Sequence, residues 1–279
     1  EGAGPVWMSA GRDIVASGTY LGQPVQVFGN AMGNGTITAT GNLFIHNNAN
    51  DVSRVSAGRD IIYSSFDVAG PGTLEITAGR NIQMENRASI TSIGPVRAGD
   101  NRPGASLVLQ AGVGAEGLDY SHFIARYLDP KNQAVSGTPL AAQPGKVVKT
   151  YDEELRAWLT LGYGFNGNEE QVRAFYAALP SAEQAVFARQ VYFAELRAGG
   201  MEYADEGGPR QGSYLRGRNA IAALFPTTDV AGNTLRYDGD ITLYGGAGVK
   251  TLFGGDIQML TPGGGLVFGV EGAAPLSTS

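Results

Sequence analysis

The residues able to do chemistry in this sequence are few and widely spaced. There are two histidines, His46 and His122, far apart and in segments of different character. A zinc site built on them would need carboxylate partners, and the sequence identifies none as such. A serine nucleophile would need a strained turn of the G-x-S-x-G type, which the chain lacks. With no cysteine there is no disulfide, thiolate metal site or Cys nucleophile. The residues therefore predict no metal and no cofactor.

Carboxylates offer one possible pair. Asp240 and Asp256 stand in matching phrases, Gly239-Asp240-Ile241 and Gly255-Asp256-Ile257. If the residues between them made one coil, the two acids would approach the separation that glycoside hydrolysis uses. Asp13 and Asp60 stand likewise before an isoleucine in the glycine-containing phrase Gly-Arg-Asp-Ile, so turn capping is the simpler reading. Acids at Glu153, Glu154, Glu169 and Glu170 open helical stretches and suit the positive end of a helix dipole.

Two glycine motifs resemble nucleotide sites. "GVGAEG" at 112–117 fits G-x-G-x-x-G and follows the strand-like "SLVLQA". The strand–helix alternation of a dinucleotide fold is missing before it, so it reads as a glycine-rich exit from a β region. "GGAGVKT" at 245–251 lacks the adjacent Gly-Lys pair of a phosphate loop.

The stretch best suited to binding is "YADEGGPRQGSYLRGRNA" at 203–220. Arg210, Arg216 and Arg218 surround Tyr214, and Asp205 and Glu206 precede them. Arginine with tyrosine recognises anionic glycans and protein surfaces. The competing role is internal, with the arginines tying segments together through ion pairs.

These residues must be positioned by a glycine-rich, strand-rich chain. Gly supplies 42 of 279 residues, about twice ordinary usage. The phrase "SAGRDI" occurs at 9–14 and 56–61 and returns as "TAGRNI" at 77–82. Aligning "MSAGRDIVAS", "ITATGNLFIH", "VSAGRDIIYS" and "ITAGRNIQME" places Gly11, Gly41, Gly58 and Gly79 together. "GASLVLQAG" at 104–112 extends the series. Recurrence of a phrase at near-constant spacing is the mark of a solenoid, here a parallel β-helix. Ile14, Ile61 and Ile82 are expected to stack inside it. The glycines permit positive φ or close backbone approach, and Asp13, Asp60 and Asn81 cap turn amides.

From residue 115 the pattern turns helical, and 115–237 holds 16 of the 25 aromatic residues. Thr150 with Glu153, Asn168 with Gln171, and Ser181 with Gln184 are spaced as capping boxes. Leu155, Trp158 and Leu159 fall on one helical face, as do Val172, Phe175 and Leu179. Pro130 ends a helix in "GLDYSHFIARYLDP", and Gly199 and Gly200 read as a helix stop. The predicted order is β-helix coils at 1–114, a mostly α-helical insertion subdomain at 115–237, β-helix again at 238–272, and a disordered tail at 273–279.

The "SAGRDI" coils resemble the filamentous-haemagglutinin family of exoproteins. Residues 118–272, through "FIARYLDP", "FARQVYFAELRAGG" and "GSYLRGRNAIAALFP", resemble a domain of unknown function in its members. The resemblance implies a right-handed parallel β-helix, export by two-partner secretion through an outer-membrane transporter, and a secreted or cell-surface place in Gram-negative bacteria. It implies a non-enzymatic adhesin contacting a glycan or a host or bacterial surface receptor, and it brings no catalytic residues. The chain opens inside a repeat phrase and reads as an excised fragment. A net charge of −6 argues against nucleic-acid partners, and no run of about 18 apolar residues predicts a membrane span. The alternatives are a polysaccharide-processing β-helix with a helical lid, and a module that only supports the rod or its secretion.

Overall fold

The computed structural model describes residues 4–15, 18–20, 23–25, 42–85, 88–114, 117–229 and 231–269. Gly41 and the tail at 273–279 lie outside them. The chain divides into two compact units, Glu1–Gly117 with Arg236–Ser279, and Leu118–Leu235.

The first unit is a parallel β-solenoid. Its first coil holds β1 (Trp7–Ala10), β2 (Ile14–Val15), an antiparallel hairpin of β3 (Gly18–Tyr20) and β4 (Gln23–Val25), and β5 (Asn42–Ile45). The second holds β6 (Val52–Ala57), β7 (Ile61–Ile62) and β8 (Phe66–Ala69); the third holds β9 (Thr73–Ala78), β10 (Ile82–Met84) and β11 (Ser89–Gly94). β12 (Ser106–Ala111) opens a fourth coil, completed by β13 (Ile241–Leu243) and β14 (Gly248–Thr251). β15 (Ile257–Leu260) and β16 (Leu266–Phe268) follow. The strands stack into three sheets in the orders β1-β6-β9-β12-β15, β2-β7-β10-β13-β16 and β5-β8-β11-β14.

The repeated phrase is the corner between the first two sheets. Ala10, Ala57, Ala78 and Ala111 are in register on one side of it. Ile14, Ile61, Ile82 and Ile241 are in register on the other, all buried in one aliphatic core. Between them each coil is tied to the next. The Asp13 Oδ1 accepts from the Asp60 amide at 3.2 Å, Asp60 from Asn81 at 3.0 Å, Asn81 from Asp240 at 3.0 Å, and Asp240 from Gly265 at 2.7 Å. Arginine adds a second tie. Arg59 pairs with Asp13, and Arg80 with Asp60. The Arg59 guanidinium hydrogen-bonds Asp13 and holds its carboxyl below the usual range. The capping predicted within a turn therefore acts between coils.

Two expectations need correcting. The coil-to-coil spacing is not constant: successive corner residues are 47, 21, 159 and 25 apart. "NLFI" does not start a coil either. It forms β5 in the third sheet, so the first coil is long. The large interval arises because the helical unit leaves the solenoid inside the corner phrase. Ala111-Gly112 supplies its first half and Gly239-Asp240-Ile241 its second. A Cβ on Gly112 would sit 2.7 Å from the Gly239 nitrogen, so the two limbs meet.

At the corner between the third and first sheets, His46 is buried. Its Nδ1 lies 2.8 Å from the Pro71 carbonyl, which can only accept, so Nδ1 carries the proton. Nε2 then accepts from Ser53 Oγ at 2.7 Å, and that oxygen accepts from the Val6 amide. Burial lowers the His46 pKa against smaller opposing effects of Pro71 and Asp51. A depressed folded-state value means that the unfolded chain takes up the proton first. The stabilisation is complete above about pH 6.5 and is lost as pH falls through the lowered value. We predict that the urea midpoint of the β signal falls between about pH 7.5 and about pH 5.5. His46→Asn, which keeps a donor for Pro71, should lower the midpoint at neutral pH and flatten that slope. An equal slope in both proteins would rule this assignment out.

The second unit holds α1 (Tyr120–Leu128), α2 (Asp152–Tyr163), α3 (Glu169–Ala178), α4 (Ser181–Ala204) and α5 (Leu215–Leu224). The Asn168–Gln171 capping box forms. The one expected at Thr150 does not. α2 starts after Tyr151 without a side-chain cap, and Asp152, Glu153 and Glu154 meet its dipole instead. Ser181 is the first helical residue, after Pro180, and does not cap. On α3 the buried aromatic is Tyr176 rather than Phe175. α4 also runs through Gly199 and Gly200 instead of stopping there. Gly199 is the contact point for α5, where a Cβ would lie 2.8 Å from the Gly217 nitrogen. An aromatic cluster of Phe123, Tyr127, Tyr151, Tyr192 and Phe225 fills the interior.

Candidate functional site

The arginine-rich stretch lies on α5 and the turn before it, beside α4. Glu195, Gly199 and Glu202 are spaced four and three apart on α4, so they form one stripe facing α5. Gly199 lets the helices approach closely, and the two acids meet the arginines on either side of that contact.

The carboxylate of Glu195 is 1% exposed as a residue. It accepts from the Tyr151 hydroxyl at 2.6 Å and from Arg216 Nε and Nη2 at 3.0 and 2.5 Å. Arg216 Nη1 donates to Glu202 at 2.8 Å. Arg210 then closes on Glu202 with two bonds of 2.6 and 2.7 Å. Two acids and two arginines thus neutralise one another in a line running inward from the surface to the aromatic cluster. Burial alone would pull the Arg216 guanidinium down, but Glu195 and Glu202 more than reverse it, so its pKa rises. Burial pushes Glu202 up, and Arg210 and Arg216 outweigh it, leaving Glu202 below the usual range. Tyr151 is pushed up by burial and then by its bond to Glu195.

Of the four residues singled out in the sequence, Arg210 and Arg216 spend their donors inside this unit. The Arg216 side chain is only 10% exposed. Tyr214 lays its ring against Gly199 and Gly217 and donates its hydroxyl to the Leu196 carbonyl at 3.2 Å. Arg218 stands exposed, with no ion pair among the described residues. The partners Glu195 and Glu202 were not singled out, although their seven-residue spacing on one helix face was a readable cue.

The other motifs are dispersed. Asp240 precedes β13 in the second sheet and Asp256 precedes β15 in the first, so they stand at different corners and make no catalytic pair. His122 is exposed on α1 in the helical unit, and His46 is buried in the solenoid. Gly112 of "GVGAEG" belongs to the corner, behind a strand paired in parallel on both sides. "GVKT" forms β14. Near the start of α2 a cleft of about 410 Å³ is lined by Gln133, Lys149, Asp152, Glu153 and Glu169, with Lys149 paired to Glu154 and Arg173 to Asp152. Among the described residues no cluster of three or more His, Cys, Asp or Glu could hold a metal ion, and no helix is long and apolar enough to cross a membrane. No family model, curated protein or solved structure matches the chain.

Proposed function

We propose that the chain is a non-enzymatic segment of a secreted, surface-displayed adhesin-like exoprotein, exported by two-partner secretion. The solenoid serves as a stiff, right-handed rod, the hand that parallel strand crossovers overwhelmingly adopt. The helical unit carries the contacts to a cell surface, because insertions into repeat folds gather at one face used for binding.

One observation supports this division of labour above the others. The corner ladder stays unbroken from Asp13 to Gly265 although the helical unit interrupts it between Gly112 and Gly239. Gly79-Arg80-Asn81 in one coil faces Gly112, Gly239 and Asp240 in the next. Removing 113–238 and joining Gly112 to Gly239 therefore restores a corner of the same length with no linker. We predict that this deletion variant keeps the β circular-dichroism signature and loses the helical one. The full chain should bind bacterial or host cells saturably, and the deletion variant should lose most of that binding. Loss of β structure would refute the modular reading. Equal binding by both proteins would move the contacts off the helical unit, and depolymerisation of a polysaccharide would overturn the non-enzymatic assignment.

A further inference from the structure

A second cluster lies on the solenoid, at the corner between the second and third sheets. Tyr63, Glu85 and Tyr244 come from three successive coils, just after β7, β10 and β13. The Tyr244 hydroxyl donates to Glu85 Oε2, and burial, with Glu85 and Tyr244 beside it, pushes the Tyr63 phenol pKa up. Gln83 Nε2 donates to the Tyr63 hydroxyl at 3.4 Å. All these side chains are half-buried, so their outer edges reach solvent.

Tyr63 reaches this cluster at a conformational cost. Its φ of 56° makes it the one non-glycine residue with positive φ among the described residues. The positions aligned with it in the next two coils, Met84 and Leu243, point inward and are buried. The left-handed backbone at Tyr63 instead places an aromatic ring on the outer surface. Strain of this kind persists where surrounding structure enforces it, and it gathers at functional positions.

We propose that Tyr63, Glu85 and Tyr244, with Gln83 and Thr242 on the adjoining strands, bind a neutral glycan chain running along the solenoid axis. Sugar hydroxyls both donate and accept. They can meet the Glu85 carboxylate as donors and the Gln83 amide and tyrosine hydroxyls as either. Tyrosine rings supply apolar area beside a polar tip, which suits a pyranose face. Coils repeat about every 4.8 Å, on the scale of one pyranose unit, so a chain along the axis meets a new coil with each sugar. Glu85 and the net charge of −6 disfavour anionic glycans. The site lies wholly on the solenoid and does not depend on the adhesin reading.

The test is titration of the full chain with hexasaccharides of β-1,4-, β-1,3- and α-1,4-linked glucose, and with a polygalacturonate hexamer as the anionic control. We expect saturable binding of a neutral hexamer, weakened at least about tenfold by Tyr244→Phe and by Glu85→Gln. Tyr244→Phe removes one oxygen and keeps the ring, and thermal melts of each variant check the fold. A readout free of variants is nitration of the wild-type chain. The bound sugar should protect Tyr63 and Tyr244 and leave exposed Tyr203 unprotected. The proposal is overturned if no neutral hexamer saturates, if only polygalacturonate binds, if both variants bind as wild type, or if nitration of Tyr63 and Tyr244 is unchanged by sugar.

Discussion

Gly58→Ala and Gly79→Ala will each destabilise the solenoid by about 3 kcal/mol or more, while Gly11→Ala will change it by less than about 0.5 kcal/mol. The three glycines occupy the same place in the same phrase, and Gly11 and Gly58 sit in identical hexapeptides. Only their neighbours differ. A Cβ on Gly58 would sit far inside contact distance of the Gly11 carbonyl oxygen, and one on Gly79 far inside contact distance of the Gly58 oxygen. Gly11 lies in the first coil and meets nothing within 4 Å. None of the three has positive φ, so the requirement is close approach of backbone, not a left-handed conformation. The obstructing atom cannot swing aside as a side chain would. The coils must separate locally, which stretches the Gly58–Ala10 and Gly79–Ala57 main-chain bonds of 2.9 Å. Urea unfolding followed by the β circular-dichroism signal measures all three variants. Equal losses at Gly11 and Gly58 would show that the glycine serves the turn itself, and the stacking account would fail.

That comparison also marks how far the sequence could be read. The phrase Ala-Gly-Arg-Asp-Ile was legible because each residue type repeats one task at each corner. Alanine and isoleucine face the core, glycine admits the neighbouring backbone, and aspartate reaches the next coil. Which glycine is covered is not legible, because that depends on a strand elsewhere in the chain. The same limit hid the split corner. Gly112 and Gly239 complete one turn, yet the helical unit separates them, and the nearer echo at Gly255-Asp256-Ile257 belongs to another corner. In the helical unit, Gly199 reads from sequence as part of a helix stop because glycine is a poor helix former in isolation, and Gly217 carries no reading of its own. Their use becomes visible only when the two helices are placed together. Arg210, Tyr214, Arg216 and Arg218 looked like a recognition loop for a related reason. The acidic partners of Arg210 and Arg216 come earlier in the chain, and α5 itself is not legible in the sequence.

For the helical unit, Arg216→Ala and Glu195→Ala are each expected to cost about 3–5 kcal/mol, because each strands a desolvated charge. Glu195 would keep only the Tyr151 hydroxyl, and Arg216 only Glu202. Arg218→Ala, at an exposed position, should stay within about 0.5 kcal/mol. The double replacement Glu195→Leu with Arg216→Met removes both charges and should recover most of the loss, a coupling that a double-mutant cycle reads directly. Trp158, packed against Tyr176 and Phe187, reports on this unit once exposed Trp7 is changed to phenylalanine. Acid should act in the same direction. Glu202 has a lowered folded-state pKa, so its contribution is present above the unfolded carboxylate value and is lost as pH falls through the folded one. If Arg216→Ala unfolds no more easily than Arg218→Ala, the network does not carry the stability assigned to it. If the loss is as large as expected, Arg216 is unsuited to test surface binding, since its replacement dismantles the unit that would bind. Arg218 is then the arginine of the stretch whose replacement separates recognition from folding.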